Sequence, residues 1–459
     1  MRISDLDGKR IALWGWGREG RAAHAALRAR LPSQPMTVLC TDSEADLVAG
    51  IGDPRVQVAT AVDADVLAAF EVVVKSPGIS PYRADVETAT ARGTAFTSGT
   101  ALWFAERSDA CVLAVTGTKG KSTTAAMAAH MARALGVRTA LAGNIGLPLL
   151  ELLDGQAELW VVELSSFQTD QAGSVAVAAI TNLYEEHLDW HGSRERYMAD
   201  KLRLADVART LVVPASQPEL LARTATHPHR ILFGAADGWH VRDGDLCRGE
   251  VIVDPSLVAI GHLPGEHNAL NACAAITALE LSLDLPQDAI ADGVESLVDF
   301  APLPHRLQTL GEREGLTWIN DSISTTPEAT MVGRASLRQP MVTVILGGHD
   351  RGLDWSKFTA FATDWPAMRI ITQGGNGPRI ATLLRDAKYP SELLHEAADL
   401  AEAVAVARRI TARSEAVLLS PGAPSFDQFR DYTARGREFA RLAGFDPSVI
   451  ARIEGMGIA

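Results

Sequence analysis

The chain has 459 residues, of which 47% are apolar and 22% charged, so it can build cores for roughly two to four domains and is not a disordered polymer. A formal net charge of −13 argues against non-specific nucleic-acid binding. An anionic substrate must then be met by cations concentrated at one place. No uninterrupted apolar stretch approaches the roughly 20 residues of a membrane span, and the opening MRISDLDGKRIAL lacks a signal-peptide core, so a cytoplasmic protein without membrane insertion is expected. Cys40, Cys111, Cys247 and Cys273 are scattered and form no CxxC pair, which suggests neither a zinc site nor disulfides. Cys40, Cys111 and Cys273 lie in apolar runs and are predicted to be buried thiols.

Short β-type runs alternate with helical stretches, which implies an α/β fold of parallel sheets covered by helices on both faces. The first run, 10–14, leads into Gly15-Trp16-Gly17-Arg18-Glu19-Gly20 and an Ala-rich helical stretch. This is a GxGxxG turn, able to hold a dinucleotide, a nucleotide or a diphosphate. Asp42 follows the next run, 37–40, at the strand end where a ribose-binding acid is expected. Alone, this pattern reads as an NAD-dependent dehydrogenase, or as a tight turn with no ligand. The run at 72–74 leads into Ser76-Pro77-Gly78-Ile79, a second loop at the same sheet edge.

The run at 112–115 opens into VTGTKGKSTT, followed by a helix predicted over 122–135. Gly117 and Gly120 let the backbone turn so that its N–H groups converge on an anion, and the helix adds its positive N-terminal end. Lys121 can reach β- and γ-phosphates, and the Ser122 hydroxyl can ligate Mg²⁺. The short spacing of Gly117 and Gly120 departs from GxxxxGK[ST] and points to ATP-dependent amide ligases. A second nucleotide loop also weakens the dehydrogenase reading. The run at 159–163 ends on Glu163, placed to hold Mg²⁺, and continues as Leu164-Ser165-Ser166-Phe167-Gln168. After the run at 177–181 come Asn182, Glu185, Glu186, His187 and Asp189, with His187 a candidate second ligand. Lys201 lies in an amphipathic helical stretch, where a lysine is ordinarily solvated.

A turn-rich stretch at 233–255 predicts small antiparallel strands. Asn268 and Asn271 begin the next segment, and APLPHR at 301–306, with Arg306, opens a third block. Its runs fall at 316–319, 342–346, 369–372 and 416–419, with helices predicted over 397–411 and 427–442. Asn320-Asp321-Ser322, 347–352 and 420–425 end three of these runs and are expected to gather at one crevice. The predicted division is 1–99, 100–303 and 304–459.

In order along the chain stand TGTKGKST, GNIGLPLL, ELSSFQ, EEHLDWH, ADKLRL, GEHNALNA, LPHR, INDS, GGHDRG and SPGAPSFDQF. Together they resemble the Mur ligases of peptidoglycan synthesis, and among these the members that join glutamate to UDP-N-acetylmuramoyl-L-alanine. The resemblance implies three domains: a Rossmann-like N-terminal domain for the UDP-substrate, a central P-loop ATPase with a mainly parallel sheet, and a Rossmann-like C-terminal domain for glutamate and ATP. It implies a monomer that uses ATP and Mg²⁺ and passes through an acyl phosphate. By the same resemblance, Gly117, Thr118, Lys119, Gly120, Lys121, Ser122, Thr123, Asn268, Asn271, Arg306 and Asp321 match ATP contacts. Ser122, Glu163, His187 and a carbamylated Lys201 match metal ligands, and Lys121, Asn144, His187 and Lys201 the catalytic group. Gly15, Trp16, Gly17, Asp42, Ser76, Gly78, Asn144, Ser165 and Gln168 match the UDP-substrate region. Ile323, Thr325, Arg351, Ser425 and Tyr432 match the glutamate pocket.

Members that add D-glutamate read NDSKATN, whereas this chain reads Asn320-Asp321-Ser322-Ile323-Ser324-Thr325-Thr326-Pro327. A cation beside the pocket becomes Ile323, and Pro327 stiffens the next turn. Inverting the amino acid while keeping its amine in place relocates a carboxylate, whose partners must change with it. The pattern resembles the branch that adds L-glutamate and works with a separate epimerase. A D-glutamate ligase with an altered loop, a folylpolyglutamate-type ligase, the dehydrogenase and a nucleotide-binding regulator remain the alternatives at this point.

Overall fold

Four parallel-strand runs and a fifth short one make the first sheet: β1 (Ile11–Trp14), β2 (Met36–Leu39), β3 (Val56–Ala59), β4 (Val72–Lys75) and β5 (Ala95–Thr97), in the order β3-β2-β1-β4-β5. This computed structural model describes every residue except 185, 187, 244, 255–265, 286–288, 302, 366 and 451–455. β1 and β4 are continuous buried runs because helices cover both faces. Leu13, Val38 and Val74 face Ala22 and Leu27 on one side, and Ala12, Trp14 and Val73 face Val86 and Ala89 on the other. The strand order reverses between β1 and β4, so the loops leaving these two strands flank a crevice at the C-terminal edge.

The second sheet holds β6 (Val112–Thr116), β7 (Thr139–Gly143), β8 (Leu159–Glu163), β9 (Val175–Ile180), β10 (Ala208–Pro214) and β11 (Arg230–Phe233), all parallel. Their order is β11-β10-β9-β6-β8-β7, and Gly457–Ile458 closes the β7 edge antiparallel. Helices Lys121–Ala134 and Glu266–Leu283 pack on it, and their buried alanines allow close approach. Leu102, Trp103 and Trp160 belong to the same apolar cluster as Leu27 and Val74, so the first two sheets share a core. The predicted antiparallel strands are present as β12 (Trp239–Arg242), β13 (Asp245–Arg248) and β14 (Val251–Asp254).

The third sheet runs β15-β16-β20-β17-β18-β19, from β15 (Gln308–Arg313), β16 (Leu316–Asn320), β17 (Val342–Leu346), β18 (Met368–Thr372), β19 (Leu394–Glu396) and β20 (Ala416–Leu419). Only the β15–β16 hairpin is antiparallel. Val344, Trp355 and Phe358 fill one face, and Trp318, Ile345 and Phe439 the other. By internal contacts the chain forms two units, one of Met1–Leu257, Glu266–Phe300 and Gly455–Ala459, the other chiefly Ala301–Glu454. Among the described residues no helix is long and apolar enough to cross a membrane.

Several expectations need correction. Asp42 does not end a strand: β2 stops at Leu39, and Asp42 opens helix Asp42–Ala49 behind a Thr41–Glu44 capping box. The helix predicted from 427 starts at Tyr432, because the Asp431 side chain accepts from Ala434 N at 2.7 Å and caps it there. The helix predicted over 397–411 spans Leu400–Ile410, capped by Asp399. Cys111 is only half-buried, whereas Cys247, left unassigned, is buried in the small meander.

Candidate active site

β6 delivers Gly117 to Gly120 to the start of helix Lys121–Ala134, and both glycines adopt positive φ, 145° and 83°. A Cβ on Gly117 would stand 2.0 Å from Thr181 Oγ1, and one on Gly120 2.3 Å from Asn271 Oδ1. The loop is braced from below. Thr181 Oγ1 donates to Lys119 O (2.6 Å), Asn182 Oδ1 accepts from Lys119 N (2.8 Å), and Thr118 Oγ1 lies 2.8 Å from Tyr197 Oη. Lys121 Nζ donates to Thr118 O at 2.9 Å, so the ammonium lies over the loop. Ser122 is half-buried at the helix start, and Thr123 is buried one position on. Asn271, near the start of helix Glu266–Leu283, is 8% exposed and donates to Asn268 Oδ1 at 3.4 Å. Asn271, distant in sequence, therefore stands against the phosphate loop, with Asn268 next to it on the same helix.

Two buried groups converge on the same place. Glu163, at the end of β8, is fully buried. Its Oε1 accepts from Asn144 Nδ2 at 2.8 Å, and its Oε2 has no partner among the described residues. Gly143 permits this approach, since a Cβ there would lie 2.3 Å from Glu163 O. Lys201 is 2% exposed, contrary to a solvated helical lysine, and donates to Gly117 O at 2.7 Å. Burial, and then the like charge of Lys121, hold its amine well below the ordinary lysine range. Helix Arg194–Asp206, which carries it, is pinned by Asp200, whose carboxylate accepts from Tyr82 Oη (2.6 Å) and pairs with His191 Nδ1 (2.7 Å).

A buried carboxylate oxygen without a donor fits a divalent cation, and the Ser122 hydroxyl is of the right type to join it. His187 lies outside the described residues. Among the described residues no three His, Cys, Asp or Glu side chains converge on a metal position, and a carbamate on Lys201 would add one carboxylate-like ligand.

At the first sheet's crevice, Gly15 has φ 95°, and a Cβ there would meet Ser76 Oγ at 2.7 Å, so the two loops touch. Gly20 is demanded by packing, since a Cβ there would stand 1.9 Å from Gly15 O, whereas Gly17 and Gly78 have open space. Trp16 points inward, 2% exposed and edge-on to His24, so only its backbone faces a ligand. Asp42 is exposed. Ser165 Oγ donates to Gln168 Oε1 at 2.8 Å, and Gln168 Nε2 to Thr100 Oγ1 at 3.2 Å, which fixes this pair beside Glu163.

In the second unit, the loops after β16, β20 and β17 leave adjacent strands and are stitched together. Gly422 N donates to Ser324 O (3.0 Å), Gly347 N to Pro421 O (2.8 Å) and His349 N to Pro424 O (2.8 Å). Asp321 accepts from Ser324 Oγ (2.6 Å), Ser420 Oγ (2.7 Å) and Leu307 N (3.1 Å), and burial pushes its carboxyl up to about 6. Arg306 is half-buried near it, and its Nε has no partner among the described residues. Ile323 and Thr325 are half-buried, Ser425 is buried, and Arg351 and Tyr432 are exposed. Pro327 is the first residue of helix Pro327–Ala335 behind the Thr326 cap, so it starts a helix rather than stiffening a turn.

Sequence reasoning missed Arg435, which is 1% exposed and donates to Ser322 Oγ, Ser322 O and Ala423 O at 2.8 to 3.0 Å. It ties the Asp321 loop to the Ser425 loop. The signal was slight: one arginine on the apolar face of helix Tyr432–Ala443.

Gly120→Ala is expected to raise the KM for ATP at least tenfold. Its φ strains any other residue by about 1–3 kcal/mol, and its Cβ would push Asn271 off the loop. Steady-state titration of ATP checks this, and an unchanged KM would remove Asn271 from the site.

A family model for the Mur ligase middle domain matches residues 115–279. A protein of Xanthomonas campestris pv. campestris (strain 8004) named UDP-N-acetylmuramoyl-L-alanine--L-glutamate ligase is 49% identical, with 100% of each chain covered. A protein of the same name from Xylella fastidiosa (strain Temecula1 / ATCC 700964) is 50% identical, again over 100% of each. The MurF ligase from Thermotoga maritima, solved in complex with ADP, is 14% identical with a TM-score of 0.59 over 96% of each chain, a likeness of fold.

Proposed function

The chain belongs to the Mur ligase family, and from that premise we infer that it is an ATP-dependent ligase joining L-glutamate to UDP-N-acetylmuramoyl-L-alanine in peptidoglycan precursor synthesis. The observation that carries the site-level reading is the pair of buried groups at the phosphate loop, Lys201 under Gly117 and the half-satisfied carboxylate of Glu163. Domains at 1–99, 100–303 and 304–459 would bind the uridine-linked substrate, hold the phosphates and present glutamate.

A carboxylate is a poor electrophile at neutral pH. An oxygen of the alanyl carboxylate attacks the γ-phosphorus and ADP departs. The glutamate amine then attacks the acyl carbon, and the tetrahedral intermediate loses inorganic phosphate and a proton from the nitrogen to leave the amide. Gly117, Thr118, Lys119, Gly120 and Thr123 would cradle phosphates, and Lys121 would swing from Thr118 O onto the transferred group. Asn268 and Asn271 would line the nucleotide site of the first unit, and Arg306 and Asp321 are proposed as ATP contacts on the family resemblance alone. Mg²⁺ would supply positive charge against the phosphates, held by Ser122 and Glu163. Lys201, as a neutral amine, would take up CO₂ with loss of a proton to give a carbamate ligand. Asn144, held by Glu163, would meet the acyl group.

The uridine diphosphate would lie at Gly15, Gly17 and the Trp16 backbone against Ser76 and Gly78, with Ser165 and Gln168 toward the sugar. Ile323, Thr325, Arg351, Ser425 and Tyr432 would form the glutamate pocket, with Arg435 holding its loops in register. We assign the chain to the cytoplasm as a monomer whose product feeds an epimerase.

The test is ADP release with UDP-N-acetylmuramoyl-L-alanine and Mg-ATP, adding L- or D-glutamate in parallel. Turnover with L-glutamate alone is expected, and turnover with D-glutamate alone would overturn the stereochemical assignment. In the same assay Ile323→Lys is expected to lower kcat/KM for L-glutamate about tenfold or more, by placing a cation on a half-buried apolar position.

A further inference from the structure

Lys75 ends β4 at the strand-order reversal, yet it is only 6% exposed. Its Nζ donates to Ile79 O at 3.0 Å and stands 5.9 Å above the Trp190 ring. Its other two N–H groups have no acceptor among the described residues. Among the described residues the acid that acts on it is Asp170, beyond ion-pair range, and burial holds its ammonium below the ordinary lysine range. Trp190 supplies a second, independent sign. Its Nε1 is buried and has no acceptor among the described residues. The ring itself is firmly held, stacked on Phe167 at 4.5 Å, edge-on to Tyr82 at 5.8 Å, with Trp190 O accepting from Ser80 Oγ at 2.8 Å. Lys75 Nζ, with one acceptor, and Trp190 Nε1, with none among the described residues, therefore lie close together. A cation buried without a counter-charge weakens a fold, and such groups are retained where a ligand completes them.

We propose that Lys75 Nζ and Trp190 Nε1 form an anion-binding pair for the uridine-linked substrate, taking an oxygen of its diphosphate or of its acyl-end carboxylate. The pair adds a buried positive contact to a crevice whose Gly15–Gly20 turn carries one exposed cation, Arg18, which donates to Gly146 O at 2.7 Å, and it rests on the functional reading above. It also explains why a fixed tryptophan, with an N–H at its edge, sits in the EEHLDWH segment.

The test compares Lys75→Met, Lys75→Arg and Trp190→Phe by calorimetric titration of UDP-N-acetylmuramoyl-L-alanine and of UDP, with melting temperatures alongside. Lys75→Met is expected to weaken the full substrate about 10- to 100-fold, leave the KM for ATP unchanged and raise the melting temperature, because methionine fills the site without a buried charge. Lys75→Arg is expected to keep most of the affinity, and Trp190→Phe, which keeps the stack, to lose about three- to tenfold. Parallel weakening of UDP assigns the diphosphate, and weakening of the full substrate alone assigns the acyl end. Wild-type affinity in Lys75→Met, with or without a fall in melting temperature, would overturn the pair and leave the lysine a structural element. Failure of the unsubstituted protein to bind the uridine-linked substrate would instead overturn the functional reading.

Discussion

Lys201→Met is expected to lower kcat by about three orders of magnitude while the KM for ATP changes only a few-fold. Methionine follows the lysine side chain out to its ε-carbon and lacks the terminal amine. Lys201 is 2% exposed, and among the described residues its amine makes one hydrogen bond, to Gly117 O, so its removal costs the loop a single contact. Nothing in Thr118–Ser122 depends on it for shape, since Thr181, Asn182 and Tyr197 brace the loop independently. The phosphates should bind, and the transferred charge should be left without its carboxylate-like metal ligand. Melting temperature separates the roles: a catalytic Lys201 yields a variant as stable as the parent or more so, because a desolvated basic group has been removed. Stripping bicarbonate from the parent enzyme should reproduce part of the loss, and should do nothing to Lys201→Met. A variant with near-parental kcat would end the carbamate reading.

Glu163→Gln should raise the Mg²⁺ concentration for half-maximal activity at least tenfold and lower kcat about 10²- to 10³-fold. The substitution is isosteric, so the contact with Asn144 can persist through the amide oxygen. What vanishes is the negative charge on the oxygen that has no donor. A fully buried carboxylate held by one amide is an unfavourable arrangement until a cation arrives, so the variant should melt at a higher temperature than the metal-free parent. Mg²⁺ titrations at saturating ATP, with melts with and without Mg²⁺, read both effects. An unchanged Mg²⁺ dependence would show that Glu163 serves only to orient Asn144.

Much of this architecture was legible in the sequence because the signals were local. The phosphate loop, the alternation of apolar runs with helical stretches and the turn-rich meander each depend on neighbouring residues. What stayed hidden was set by distant ones. Lys201 reads as a surface lysine on an amphipathic helix until Asp200 anchors that helix to Tyr82 and His191 and turns the amine under Gly117. Arg435 lies among basic residues of a C-terminal helix, and only the approach of two loops makes it interior. Trp190 looks like one more core aromatic until its unaccepted N–H is seen. Helix starts were misjudged where a single aspartate, Asp399 or Asp431, decides them by accepting a backbone N–H.

The pairing of Gly457–Ile458 with β7 has a bearing on how the protein is made. The strand that seals the edge of the second sheet is encoded after the whole of Ala301–Glu454, so the second unit is an insertion in a fold that begins and ends in the first. On the ribosome, at roughly 5–20 residues per second, β7 has an open side for on the order of ten seconds or more while that insertion emerges. During this interval the free N–H and C=O groups of Thr139–Gly143 form a template for any passing strand, including the same segment of a neighbouring nascent chain. The edge of the sheet that carries the phosphate loop is therefore closed only after the second unit has been made.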